Sequence, residues 1–250
     1  MRAYAAQLRT ELGLSLRQGE QLLVSLGIPL LVLVFFSLVD ILPEPESTSG
    51  LDPSFVAEPV DRLLPSVRAL AIMSTAMVSL GIGTGFERYY KVLKRLGATP
   101  LGRPRLIGAK VTMVLVLEVI QLAVLVPVAL LLGWQAQGRL ALVVPAYVLG
   151  TAAFAGIGLL MAGTLKGTLN LALCNGLYLV LLLFGGIIVP VDRLPVGARA
   201  VASVLPSGAL SQVLHDAMTP GASVPTGAWL VLAAWAVAMP ALAARFFRWE

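Results

Sequence analysis

Residues 86–110, from Phe86 to Lys110, read FERYYKVLKRLGATPLGRPRLIGAK. The stretch holds Arg88, Lys91, Lys94, Arg95, Arg103, Arg105 and Lys110 against one acid, Glu87. Seven of the chain's 18 basic residues thus fall between two long apolar runs. Lys and Arg resist translocation across a bilayer, so such a loop stays cytoplasmic. Glu87 to Leu96 reads as a short helix. Gly97 fits a C-terminal cap, and Pro100 forbids continuation and pushes Thr99 out of helical geometry. A second turn starts near Arg103 and runs into the next apolar run. Two readings follow. The loop either only fixes topology or also offers a basic helix to a soluble partner.

The remainder of the chain makes the membrane unavoidable. Its 250 residues are 58% apolar and 12% charged. Soluble domains carry about a quarter charged residues, so too little charge is present here to cover a water-facing surface. The apolar runs are continuous and rich in Leu and Ala. They therefore predict helices of ~20 residues rather than the alternating ~10-residue strands of a membrane barrel. The net charge of +5 follows membrane sidedness and is no sign of nucleic acid as a partner. The single cysteine, Cys174, rules out an intramolecular disulfide, and one His with one Cys cannot fill a zinc site. The first twenty residues carry Arg2, Arg9, Arg17, Glu11 and Glu20 and no apolar core, which is not a signal peptide.

The fold expected is all-α: a polytopic membrane protein, a single transmembrane domain over 1–250, with six transmembrane helices. Residues 1–20 have Tyr4, Leu8, Leu12 and Leu16 at four-residue spacing and predict an interfacial helix. Spans are expected at 22–39, 67–86, 111–132, 140–165, 168–189 and 226–244. Residues 40–65 form an acidic, proline-broken outer loop. Arg68 is expected to snorkel at the outer end of span two. Gly81, Gly83 and Gly85, and in span four Ala152, Gly156 and Gly158, predict close helix approach. Residues 190–218, cut by Pro190, Pro195 and Pro206, predict short helices near Gly197–Leu205 and Ser207–Met218 in a re-entrant outer hairpin. Ser207 is expected to cap the second of these.

The orientation follows from counting. With the N-terminus inside, thirteen basic residues lie inside: Arg2, Arg9, Arg17, the seven of the loop, Lys166, Arg245 and Arg248. Five lie outside: Arg62, Arg68, Arg139, Arg193 and Arg199. Both termini are therefore expected in the cytoplasm of a cell with the chain in its inner membrane.

Two segments carry a resemblance. One is the basic loop, with Glu87-Arg88, Arg95-Leu96, Thr99-Pro100-Leu101 and Leu106 to Lys110. The other is Gly185-Gly186, Pro190, Leu194-Pro195 and Leu205-Pro206. Their order and spacing resemble type-2 ATP-binding-cassette (ABC-2) exporter permeases, including the daunorubicin-resistance-like drug and lipid exporters. The resemblance implies that residues 87–110 are a coupling helix docking on an ATPase subunit through Glu87, Arg88, Lys91, Lys94, Arg95, Pro100 and Arg103. It also implies a second permease copy or a homologous permease, and a path near spans two and five. The long acidic first outer loop departs from that pattern. The chain has no G-x-x-x-x-G-K-[ST] loop, so ATP is expected on the partner and no cofactor on this chain.

Candidate chemistry is sparse, and no enzyme is expected. Glu118 is the one carboxylate well within a span, about a third of the way in, where a charge costs ~3 kcal/mol. It reads as a substrate-path or gating residue, or as a partner of Gln121, Asn170 or another chain. Asn175 and Tyr178 read as helix packing or, given the resemblance, as path residues. His215-Asp216 reads as an exposed polar turn. Three functions follow. The first is an exporter permease for a hydrophobic or amphipathic molecule. The second is a proton-coupled secondary transporter using Glu118, against which no inverted repeat is evident. The third is an accessory membrane subunit.

Overall fold

The computed structural model describes residues 2–17, 19, 23–39, 59–97, 102–186 and 195–248. All secondary structure among them is helical. Helix α1 is Arg2–Arg17. A π-helical turn, Leu23–Gly27, leads into α2, Ile28–Leu38. The long helix α3, Pro59–Tyr89, contains a second π-helical turn, Ser74–Ser79. Then follow α4, Val92–Gly97; α5, Arg103–Leu131; α6, Val143–Thr164; and α7, Gly167–Phe184. Last come α8, Val196–Val204; α9, Pro206–Met218; and α10, Thr226–Phe246.

Five of these helical segments are long and apolar enough to cross a membrane: α3, α5, the Leu140–Thr164 segment containing α6, α7 and α10. The first expected span is shorter, an apolar helix of Ser25–Leu38. The chain is a multi-pass α-helical membrane protein.

Helix α6 sits at the centre, because its small residues let neighbouring backbones come close. A Cβ on Gly158 would lie 2.6 Å from the Met77 carbonyl oxygen of α3, and one on Gly156 would lie 2.6 Å from the Pro240 nitrogen of α10. Gly81 faces Gly158, where an added Cβ would lie 3.0 Å from its Cα. Gly83 faces open space. The glycine reading thus holds for Gly81, Gly156 and Gly158, but not for Gly83.

Several boundaries differ from expectation. Span two begins at Pro59, since a helix tolerates Pro65 once packing covers it, and it runs on to Tyr89. The expected helix Glu87–Leu96 is therefore two pieces. The chain breaks at Lys91, which takes a left-handed φ of 61°, and α4 follows with Gly97 as its last helical residue. Span three starts early, at Arg103. Gly102 (φ 72°) turns the chain, and Pro104 fits the first helical turn, where no N–H partner is needed. The acidic loop over 40–58 and residues 187–194, with Pro190, lie outside the described residues. The two short helices of the expected hairpin are present as α8 and α9.

Arg68 does not snorkel. It is 4% exposed, with its guanidinium 5.3 Å from the Trp134 ring centre and Nη1 donating to Met218 Sδ at 3.5 Å. The loop after α5 closes over it, held by Arg139 N–H donating to the Ala217 carbonyl at 2.7 Å. Ser207 does not cap α9 either. Leu205 holds the cap position without a side-chain bond, and Ser207 Oγ is buried with no partner.

The first and last described residues lie near where α3 and α6 end and α5 begins. Tyr4 Oη and Thr112 Oγ1 are 2.6 Å apart, and the Arg248 N–H donates to the Gly163 carbonyl at 3.1 Å. This is termed the basic end.

Candidate functional site

A cleft of about 1270 Å³ opens along one side of the bundle. Its walls come from α1, the first π turn and α2, α3, α5 and α7. Most of the lining is apolar, as with Ile28, Val78, Ile82, Val114, Leu117 and Leu179. A neutral polar stripe runs along it: Ser25, Ser74, Thr75, Ser79, Thr84, Asn175 and Tyr178. Thr84 Oγ1 is buried without a partner. Charge is confined to the basic end, where Glu11, Arg17, Glu87 and Lys110 line the cleft.

That charged floor is one node. Lys110, 3% exposed at its side chain, stands at the start of α5. Its Nζ lies 2.9 Å from Glu11 Oε1 on α1 and 2.8 Å from Glu87 Oε1 on α3. Glu11 also accepts from Gln7 Nε2 at 2.8 Å. One buried cation therefore ties three elements together, and the two carboxylates supply the pairing it needs in a poorly solvated place. Glu87 is thus turned inward. Arg88 is turned inward too: its Nη1 donates to the Ala162 and Leu165 carbonyls at 3.1 and 3.0 Å, satisfying the C-terminal end of α6 with a favourably placed cation. Lys91, Lys94, Arg95 and Arg105 are exposed at the same end, beside Tyr89 and Tyr90. Pro100 and the Arg103 side chain lie outside the described residues.

Of the expected path residues, Asn175 and Tyr178 line the cleft and Glu118 does not. Asn175 is exposed, donating only to Leu171 of its own helix at 3.0 Å. Glu118 stands near the middle of α5, deeper than expected, because that helix begins at Arg103. It is 2% exposed and accepts from Thr151 Oγ1 of α6 at 2.6 Å, while its Oε1 has no partner. The expected partners are used elsewhere. Gln121 Nε2 donates to the Ser25 carbonyl at 3.0 Å and to Thr75 Oγ1 at 2.8 Å, and Asn170 Nδ2 donates to the Gly81 carbonyl at 2.9 Å. Lys110, Glu11, Thr75 and Gln121 were not picked out as site residues. Helical spacing alone does not say which other helix each one meets.

His215 is exposed at the end of α9, and Asp216 beside it is half-buried. Burial raises the Asp216 carboxyl above its ordinary range, and the neighbouring His215 draws it partly back. Among the described residues no group of three or more His, Cys, Asp or Glu could hold a metal ion.

The apolar helices around this deep, sparsely polar cleft are those of a multi-pass membrane protein. The chain belongs to the ABC-2 type transporter family, whose family model matches residues 3–219. It is the permease kind of subunit, and such permeases work with an ATPase. No curated protein and no solved structure matches it significantly.

Proposed function

We propose that the chain exports a hydrophobic or amphipathic molecule, a drug or a lipid, by alternating access driven by a separate ATPase. The observation that carries this is the cleft: it is large enough for a drug-sized ligand, mostly apolar, and has a few polar groups to orient a cargo. Its floor is tied through Lys110 to Glu87, near the end of α3 just ahead of the basic turn. In this reading Lys91, Lys94 and Arg95, with Pro100 and Arg103, meet acidic residues on the ATPase, while Glu87 and Arg88 fix the base of the turn. Nucleotide stays on the partner.

Orientation follows the positive-inside rule: the basic end and both termini face the cytoplasm, and α8 and α9 face outward. A second copy or a homologous permease closes the cleft from the α2 and α7 side, where Leu31, Phe35, Leu179 and Leu183 are exposed. Asn175 and Tyr178 contact cargo, and Glu118 fastens α5 to α6 behind the wall. The test is to purify the chain with its co-expressed ATPase and titrate candidate amphiphiles. Copurification with stimulated hydrolysis is expected, and no ATPase bound under any mild detergent would sink the reading.

A further inference from the structure

The cleft wall holds two helix irregularities at one depth. The turn Leu23–Gly27, before α2, and the turn Ser74–Ser79, inside α3, are both π-helical. A π turn inserts a residue and loosens the hydrogen-bond ladder, and it is a recurrent place for a long helix to bend. Here the two turns share one fastening. Gln121, from the third helix α5, gives one N–H to the Ser25 carbonyl of the first turn (3.0 Å) and the other to Thr75 Oγ1 of the second (2.8 Å). Gln121 is 5% exposed and does not line the cleft, whereas Ser25, Ser74, Thr75 and Ser79 do. An amide at that depth is tolerated only when its hydrogen bonds are made, and a Leu or Met would fill the same volume at less cost. Its presence therefore calls for an account beyond packing.

We propose that Gln121 is the positioning residue of a paired hinge. By tying the π turn ahead of α2 to the π turn of α3, it sets the width of the cleft between them, and the cleft opens by bending at these two turns. The inference rests on the reading of the cleft as the transport path. Its logic is one of reach. A single amide bonds both turns only while they lie together. Any state in which they part loses at least one bond, and a net hydrogen bond of ordinary size moves a two-state ratio about two- to tenfold. Gln121 thus favours the narrow state, and cargo or ATP must outweigh it to open the cleft.

The experiment uses the permease–ATPase complex in lipid nanodiscs. Cys174→Ala removes the native thiol, and Val78→Cys places a reporter on the cleft wall within the second π turn. The rate of maleimide labelling without nucleotide reads the opening. Gln121→Met should raise that rate severalfold, and Thr75→Val, which is isosteric and removes one of the two bonds, should raise it less. Both should also change the kcat of substrate-stimulated ATP hydrolysis more than its KM. If Gln121→Met does not give a monodisperse complex, Thr75→Val carries the test. Labelling rates within error of the parent in whichever variants fold would overturn the hinge. If the parent complex transports while those rates are unchanged, only the hinge fails. If the parent binds no ATPase, the transport reading fails and the hinge fails with it.

Discussion

Replacing Lys110 by Met removes the cation that joins Glu11 and Glu87 while keeping an apolar stem of the same length. Both carboxylates touch the same Nζ, at 2.9 and 2.8 Å, so removing it leaves two acids facing each other across a gap of one ammonium. Breaking a buried pair by deleting one partner costs about 3–5 kcal/mol, because the remaining charge has lost its compensation. Glu11 is 7% exposed at its side chain and Glu87 is 27% exposed, so partial hydration of Glu87 pulls the expected loss toward the lower figure. Adding Glu11→Gln and Glu87→Gln removes the stranded charges. The triple variant should then recover most of the loss, since a buried ion network replaced by neutral groups of similar shape is often close to neutral in stability. The assay is thermal unfolding of the purified permease in one detergent, with folded yield as a second measure. A Lys110→Met protein that melts with the parent would show that the node carries no stability. A triple variant as unstable as the single one would show that the loss does not come from stranded charge, and the electrostatic account would be wrong.

Three further outcomes are expected. Thr48→Cys, in the acidic loop, should react with an impermeant thiol reagent from outside intact cells and Gly97→Cys should not; the reverse pattern would refute the proposed orientation. Glu118→Gln should express, melt and transport like the parent, whereas Thr151→Val should lower stability by about 1–3 kcal/mol by leaving Glu118 without its donor; transport lost in Glu118→Gln at normal stability would return that residue to the path. Lys94→Ala with Arg95→Ala should weaken ATPase recovery in a pull-down by up to about thirtyfold, on the scale of ~1 kcal/mol for each exposed pair, while insertion stays normal; unchanged affinity would leave the turn as a topology anchor only.

The helices were legible because the bilayer imposes one rule on every span: apolar side chains outward and a closed backbone ladder. That rule found each of the five long helices, and the proline pattern found α8 and α9. It could not place their ends. Pro59 to Ser66 reads as loop because it carries two prolines and charges, yet packing holds it helical. The break at Lys91 carries no signal at all, since a left-handed lysine is chosen by how α4 folds back and not by its own preference. The basic turn was legible as charge, but charge does not say direction. Arg88 and Lys94 look alike in sequence, and one holds α6 carbonyls while the other stands exposed.

The polar residues within the spans expose the deeper limit. In the membrane interior a buried amide or carboxyl creates a demand for a partner, and the sequence states the demand without naming the supplier. Asn170 makes the point. It could meet Glu118 by composition alone, but its amide donates to the Gly81 carbonyl, and it packs so closely over Gly85 that a Cβ there would overlap it. Gly81 and Gly85 of α3 are thus part of the same device as Asn170: they bare the backbone that the amide grips. That grip holds α7 against α3 beside the cleft and leaves the Asn175 and Tyr178 face of α7 turned into it. Gln121 does the same at the other edge, gripping a carbonyl of the first π turn and a hydroxyl of the second. Within the spans both cleft edges are therefore fastened by single neutral amides, while the Lys110 ion pairs lie at the basic end. An ion pair at that depth would be costly to open, whereas an amide contact can be made and broken within the range that cargo binding or ATP supplies. On the proposed transport reading, such contacts suit a cleft wall that moves.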